Sequence, residues 1–453
     1  MKEMKRASVA LPDSVRQIIS RLEDKGFKAY AVGGAVRDSL SGKTPQDWDV
    51  TTSALPEKII EIFNDYTVIP TGLKHGTVTV RIEGENFEIT TFRSDGDYVD
   101  CRHPSRVDFV SDITQDLRRR DFTVNAMAYN EKDGLIDLYG GLDDIKGGIL
   151  RAVGDACERF EEDALRILRC LRFVSSTGFS VEEKTLKAMR EKANLLKNVS
   201  AERVFAELDK ILLGEHVQKA LTVCPEVIFI VIPELERCYG FLQHSKWHLY
   251  DVYKHTVIAT ASVSADRNLR WCMLLHDIGK PDKFFLDDKG QGHFYGHPEL
   301  SEKMALKVFK RLKAPNDLTK KVCELIKYHD RPFAIDRKKL KRDLSKFGKE
   351  LTLGLLQVKI ADNNGQGTQI ALAESDKVLK IKEIVLDVIN SGECYTQKDL
   401  EIDGKDVERF GFKGKQVGEV LSAVLSDVLS DNLPNERQRL LQSLEKRAER
   451  LKK

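Results

Sequence analysis

The sequence predicts an α+β protein, with a mixed α/β head over residues 1–150 and helices through the rest of its 453 residues. Three observations carry this reading. The first part alternates short apolar runs of period two with glycine-containing turns. From about Asp155 onward, apolar residues recur at helical spacing instead. The chain also exceeds what one ordinary core holds, so roughly two to four domains are expected.

Composition narrows the class. Charged residues make up 32% and hydrophobic ones 41%, a mixture that folds in water rather than staying disordered. No apolar run has membrane-spanning length and the N-terminal stretch has no signal-peptide core, so a cytoplasmic protein is expected. Eight cysteines without a CxxC pair indicate neither a zinc ribbon nor a disulfide framework. A net charge of +2 means that any nucleic-acid binding relies on local basic patches.

In the head, Phe27–Val32 reads as a short strand ending at Gly33-Gly34, where backbone without Cβ atoms can lie against a ligand. A helical turn with Arg37 and Asp38 follows, stopped at Gly42. If Asp47-Trp48-Asp49 is extended, both carboxylates share one face and Trp48 and Val50 the other. Two such carboxylates are a seat for magnesium, which takes hard oxygen ligands and often substrate phosphates. Pro56 opens a helix with Ile59, Ile60 and Phe63 on one side. Strands follow at Gly76–Ile82 and Phe87–Phe92, split by a Gly-Glu-Asn turn. Glu88 on the second strand is either a third carboxylate for two-metal catalysis or the outward face of an edge strand.

Arg93 to Ile113 lacks a period and reads as a long loop. Arg118-Arg119-Arg120 then precede an expected helical start at Phe122–Ala126. Guanidinium forks suit phosphate oxygens, although a short basic run is more often solvated surface. Ile136–Gly141 closes the head as strand and turn. Glu162–Phe173 reads as one helix, its apolar stripe Leu165, Leu168 and Leu171 flanked by Asp163, Arg166, Arg169 and Arg172. Asp163 and Arg166 could simply pair on the helix surface. Alternatively, an acceptor carboxylate beside a donor guanidinium complements the pairing edges of adenine and cytosine, not those of guanine and uracil. Ser200 is the candidate N-cap of a helix from Ser200 to Leu213 carrying Arg203 and Glu207.

GGAVRD…DWD, RRRDFTVNA, IDLYGG, EDALRILRCLRF and SAERVFAEL together resemble the class II tRNA nucleotidyltransferases, or CCA-adding enzymes, over residues 27–215. These are relatives of bacterial poly(A) polymerases within the DNA polymerase β superfamily. The resemblance implies a polymerase β-like head, an all-α neck and template-independent addition of CCA to tRNA from CTP and ATP. Carried over by position, Asp47 and Asp49 would hold Mg2+, with Glu88 as the third strand carboxylate. Gly34 and Arg37 would meet the triphosphate, Arg120 would lie against the nucleotide, Asp163 and Arg166 would select the base, and Arg169 and Arg172 would line the same site. The tRNA 3′-hydroxyl would attack the α-phosphate in line, with pyrophosphate leaving. A full-length loop with Asp95, Tyr98, Arg102, His103 and Pro104 argues against CC-only addition. No Gly-Arg-Arg-Phe-Arg run precedes the RRDF segment, which argues against poly(A) polymerase; an A-adding enzyme stays open.

Six of ten histidines fall between His248 and His329. His255, His276-Asp277 and Asp362 resemble the ligand order of HD-domain phosphohydrolases, with His297 and His329 where some of these add ligands. Imidazole and carboxylate suit several divalent transition metals, so the ion stays unnamed. The resulting expectation is a head at 1–150, a neck at 151–245, an HD-type helical domain at 246–366 and a tRNA-binding helical tail at 367–453, acting as monomer or homodimer. The HD part would act as a phosphatase or phosphodiesterase on damaged tRNA ends. The rival from another class is an RNA-binding HD phosphohydrolase whose transferase is vestigial.

Overall fold

The computed structural model describes residues 8–45, 47–73, 76–95 and 107–452. Tyr98, Arg102, His103 and Pro104 of the long loop lie outside them. The chain divides into two compact units, Met1–Pro233 with Arg311–Lys313, and Glu234–Lys310 with Ala314–Lys453.

The first unit begins with α1 (Asp13–Glu23), β1 (Ala29–Val32), α2 (Gly34–Leu40), β2 (Asp49–Thr52) and α3 (Pro56–Ile62). Next come β3 (Thr67–Gly72), β4 (Thr77–Ile82), β5 (Glu85–Thr91), β6 (Arg93–Asp95), β7 (Val107–Phe109), α4 (Ile113–Arg118), β8 (Met127–Asn130) and β9 (Gly134–Asp137). Seven strands form one sheet in the order β3-β4-β5-β2-β1-β8-β9. Within it β2 and β5 run parallel while the other neighbours are antiparallel. The β4–β5 hairpin turns on Glu83 and Gly84, both at positive φ, so the turn starts one residue ahead of the Gly-Glu-Asn segment read from sequence, whose Glu85 and Asn86 belong to β5. Two central residues at positive φ match the twist of a two-residue hairpin.

Two helical readings change. Phe122–Ala126 forms a single 3-10 turn, Thr123–Asn125, and the apolar run beyond it is strand β8, buried throughout. After α5 (Gly141–Gly147), Glu162–Phe173 is not one helix but α6 (Ala156–Glu162) followed by α7 (Leu165–Thr177). Asp163 occupies the bend because its carboxylate accepts the Leu165 N–H at 3.1 Å, an interaction that competes with helix continuation. Helices α8 (Glu183–Lys192), α9 (Ala201–Leu213), α10 (Val217–Val223) and α11 (Pro225–Val231) complete the unit. Ser200 stands at the N-cap of α9, but its side chain makes no capping hydrogen bond.

Asp121, buried at the end of the Arg118–Arg120 run, ties the head to α7. Its Oδ2 accepts from Arg169 Nε at 2.8 Å and Nη2 at 2.6 Å, and its Oδ1 accepts from Asn125 Nδ2 at 3.1 Å. Burial pushes the Asp121 carboxyl up, but Arg169 and Asn125 outweigh it and hold the group below its ordinary value.

The second unit is built from α12 (Val252–Ser262), α13 (Arg267–Leu275), α14 (Lys280–Lys283), α15 (His297–Leu312), α16 (Asn316–Tyr328) and α17 (Arg337–Gln366), followed by α18 (Gln369–Asn390), α19 (Gly404–Arg409), α20 (Lys415–Leu429) and α21 (Arg437–Lys452). Helix α17 changes direction at Gly348, and its far half packs on α12. A Cβ on Gly365 would lie 2.8 Å from Ala259 Cβ and 3.0 Å from His255 Nδ1, so glycine permits this close approach. Leu440 and Leu444 of α21 bury against Val424 and Val428 of α20.

Asp121→Ala should cost about 1.5–3 kcal/mol, read as a lowered urea midpoint, because Arg169 loses its charged acceptor. A depressed folded value means that wild type holds this stabilisation above the ordinary carboxylate range, about pH 4, and loses it as pH falls further. The gap between wild type and Asp121→Asn should therefore close in acid.

Candidate active site

The centre of the head is where β1 ends and β2 begins. Val32 lies opposite Asp49 in the antiparallel pair, so Gly33 turns away beside that carboxylate. Glu88 is the register partner of Asp49 on the parallel neighbour β5. Asp47 precedes the strand by two residues; Asp47 and Asp49 are exposed while Trp48 and Val50 are buried, the alternation of an extended segment. Strand β2 itself starts at Asp49. Partial desolvation by the protein packed around its carboxyl group, with the Glu88 and Asp47 carboxylates, pushes Asp49 above its ordinary value although the residue is solvent-accessible, with Arg120 pulling the other way. Like charges crowded at one strand end, all hard oxygen donors, fit a divalent cation such as magnesium.

Cationic groups surround this edge. Gly33 adopts φ 72°, and a Cβ there would lie 3.1 Å from Arg120 Nη1, so the guanidinium lies directly against the turn. Arg120 Nη2 and Arg119 Nη2 both donate to Asp116, fully buried beneath them. Arg37 donates to Asp38 Oδ1 at 2.9 Å and to Asn125 Oδ1 at 2.8 Å. A Cβ on Gly34 would lie 3.7 Å from Arg37 Nη2. The ring of Phe173 gathers three guanidiniums, with Arg172 at 4.7 Å, Arg37 at 5.1 Å and Arg169 at 5.6 Å from its centroid. Burial and the neighbouring Arg169 charge push the Arg172 guanidinium below its ordinary value, although Glu207 accepts from it at 3.0 Å. Arg37, Arg169 and Arg172 thus converge on Phe173 while Arg120 lies at the glycine turn, and Asp47 and Glu88 stand near enough to Asp49 to shift its carboxyl.

Asp163 and Arg166 are positioned differently from the direct pair that the sequence suggests. No side-chain bond joins them among the described residues. Arg203 Nη2 donates to Asp163 Oδ2 at 3.1 Å. Arg166 Nη1 donates to Glu162 Oε2 at 2.6 Å, and its Nη2 to the Arg119 carbonyl at 2.8 Å. The reason is the bend: with Asp163 off the helix, Glu162 stands one turn before Arg166 and takes the ion pair. Glu162 was legible as an i, i+4 partner of Arg166. Asn125, Asp116 and Phe173 emerge only from the fold.

The histidines of the second unit also converge. His276 and Asp277 lie in the turn after α13, not on a helix. His255 Nε2 lies 3.1 Å from Asp277 Oδ2 and 3.2 Å from Asp362 Oδ1, and His276 Nε2 lies 3.1 Å from Asp277 Oδ2. His297 and His329 approach the other Asp277 oxygen, at 3.3 and 3.7 Å. These six side chains could hold metal.

Similarity to known proteins matches this arrangement. Residues 29–151 match the poly A polymerase head domain, and residues 178–223 match a family described as an RNA and SrmB-binding site of polymerase A. Residues 294–444 match tRNA nucleotidyltransferase domain 2. The CCA-adding enzyme of Lactococcus lactis subsp. cremoris is 51% identical over 212 residues, where the match covers 46% of this chain and about half, 52%, of the relative's length. That of Pediococcus pentosaceus is 32% identical over 437 residues, covering 96% of this chain and 98% of the relative. The crystal structure of the Bacillus stearothermophilus CCA-adding enzyme in complex with CTP superposes with TM-score 0.69 at 29% identity, over 96% of this chain and 97% of that one. The Thermotoga maritima CCA-adding enzyme complexed with tRNA shares the fold, with TM-score 0.63 at 20% identity over 97% and 96% of the two chains. Sheet, carboxylate edge, arginine cluster and near full-length similarity lead to one assignment: this chain belongs to the family of CCA-adding enzymes.

Proposed function

We propose that this chain builds and repairs the 3′-terminal CCA of tRNA by nucleotidyl transfer from CTP and ATP. The observation that carries the reading is the carboxylate edge Asp47, Asp49 and Glu88, standing beside Gly33 and Arg120. Magnesium bound there would neutralise the triphosphate and make the tRNA 3′-hydroxyl a better nucleophile. Gly33 and Gly34 let backbone approach the phosphates, while Arg37 and Arg120 offer guanidinium forks to their oxygens. The hydroxyl attacks the α-phosphorus in line and the bond to pyrophosphate breaks, with no protein nucleophile. Positioning and charge supply the rate.

Base choice falls to Asp163 and Arg166. Each is clamped by its own partner, Arg203 and Glu162, which leaves acceptor and donor edges fixed without joining them to each other. Such a reader accepts the amino donor and meets the ring-nitrogen acceptor of cytosine or adenine. Supplying tRNA that lacks its end with magnesium and CTP, ATP or both, then sequencing the products, tests the whole reading. CCA should be restored. A long A-tail would indicate a poly(A) polymerase, A only after supplied CC an A-adding enzyme, and no addition a vestigial transferase.

A second reading is favoured by the buried set His255, His276, Asp277 and Asp362: a metal-dependent hydrolase of phosphate esters in the second unit. The donor set suits a divalent transition metal.

Asp47→Ala should reduce addition of both nucleotides by about a thousandfold or more, since lost metal binding is worth several kcal/mol. Arg166→Ala should lower the preference for CTP over UTP at least about tenfold in a competition assay, the scale of one lost bidentate contact. Unchanged selectivity would remove Arg166 from base choice.

A further inference from the structure

Between α14 and α15 the chain makes a two-stranded antiparallel hairpin, Phe285–Leu286 against Gly292–His293. A hairpin this short is barely stable alone in water, so it has to be fastened to something. Period two divides its aromatic residues between two faces. On one face the rings of Phe284 and Phe294 lie 5.5 Å apart, and Phe284 also packs on Phe241 at 5.3 Å and His244 at 5.9 Å. The Gly292 N–H donates to the His244 carbonyl at 2.8 Å. That face anchors the hairpin to the preceding segment.

The opposite face is aromatic as well, and it is turned outward. The ring centroids of Phe285, His293 and Tyr295 lie 5.3, 5.4 and 5.7 Å from one another. Their planes open as a fan, with His293 at 25° to Phe285 and 21° to Tyr295, and 45° between the outer two. The middle ring is held in place, since His293 Nε2 lies 2.9 Å from Asp287 Oδ2. Asp287 Oδ1 accepts the Lys289 and Gln291 N–H groups, each at 2.9 Å, so one carboxylate sets both turn and ring. Phe285 stands opposite His293 across the strands, a pairing that hairpin stability alone would explain. Tyr295 lies beyond the last strand residue and is 72% exposed, and Phe285 is 46% exposed. Neither belongs to a core. Adjoining rings left in water on a fixed support mark an interaction surface.

Charge decides what it fits. Lys283 precedes the first strand and Lys289 stands in the turn, and both are exposed without an ion pair among the described residues. Of the acids in this stretch, Asp287 is committed to the turn and Asp282 accepts from Arg237 at 2.8 Å, which leaves Asp288. Protein interfaces are poor in lysine. Rings flanked by ammonium groups suit a single strand of nucleic acid instead, because every base has a π-face and a phosphate recurs at every step. We propose that this hairpin face is a docking site for unpaired RNA, with bases stacked on Tyr295 and Phe285 and phosphates met by Lys283 and Lys289. It adds to the transferase reading an RNA contact in the second unit, and it does not depend on the buried histidines holding metal. Stacking accepts every base, so the site grips RNA without reading its sequence.

The test is photocrosslinking with affinity, on the full chain and without nucleoside triphosphates. The probe is a fluorescent single-stranded oligouridylate of about twelve nucleotides, within the span such surfaces cover, carrying one 5-iodouridine. On irradiation this base joins to an aromatic ring stacked on it, and mass spectrometry identifies the joined peptide. The crosslink is expected at Tyr295 or Phe285. Its yield should fall about fivefold or more in Lys283→Gln/Lys289→Gln, where both rings remain but two phosphate contacts are lost. Tyr295→Ala should weaken binding about 5–100-fold by fluorescence anisotropy, and Tyr295→Phe should bind as wild type does. Unchanged thermal midpoints show that these surface variants fold. Crosslinks confined to other peptides would overturn the site. So would a hairpin crosslink indifferent to the lysine changes together with an affinity unmoved by Tyr295→Ala. A dimer that Tyr295→Ala dissociates, with RNA affinity unchanged, would assign the face to a second copy and overturn the proposal. A chain that fails to add nucleotides in the assay above can still pass this one, so the two readings fail separately.

Discussion

One buried carboxylate organises the transferase site. Asp121 binds Arg169 from α7 and, through Asn125, holds Arg37 from α2. Without it Arg169 would lose its charged acceptor, and Asn125, which holds Arg37, would lose the carboxylate it donates to. Burying an anion is costly, and its cost is offset here by bonds from both sides. The group so fixed is a cluster of cations at the edge of three carboxylates. Opposite charges are thus kept in register but available, the arrangement a triphosphate with its metal requires.

The neighbouring pairs follow the same logic. Asp116 lies under Arg119 and Arg120, Glu207 holds Arg172, Glu162 holds Arg166 and Arg203 holds Asp163. Arg120, Arg166, Arg172 and Asp163 thus each have an oppositely charged partner behind them. Side chains restrained in this way lose little further entropy when a nucleotide arrives, which is how a site is made ready for its ligand.

The parts that sequence revealed were those with local causes. Period two placed Asp47 and Asp49 on one face because Trp48 and Val50 had to be buried. It could not bring Glu88 beside Asp49, since that depends on which strands become neighbours, and β5 joins β2 across two intervening strands. Helical spacing identified the apolar stripe of α7 but overran Asp163, where one side-chain bond to backbone outweighs the local period. The Phe122–Ala126 segment after the basic run read as the start of a helix, yet Met127–Asn130 is drawn into the sheet beside β1. Tertiary pairing overrides propensity in such apolar stretches. The histidines were visible as a cluster in sequence, but the division of Asp277 between two sets of imidazoles is a matter of which oxygen faces which ring.

The grip of Arg166 on the Arg119 carbonyl has a consequence for selectivity itself. The guanidinium proposed to read the base is fastened to the backbone that carries Arg120, which lies against the glycine turn. A wrong base that displaces Arg166 would pull on the same segment that is proposed to seat the triphosphate. Recognition and alignment then behave as a linked equilibrium, in which a mismatch is penalised twice, once in affinity and again in the fraction of bound complexes whose α-phosphorus is in line.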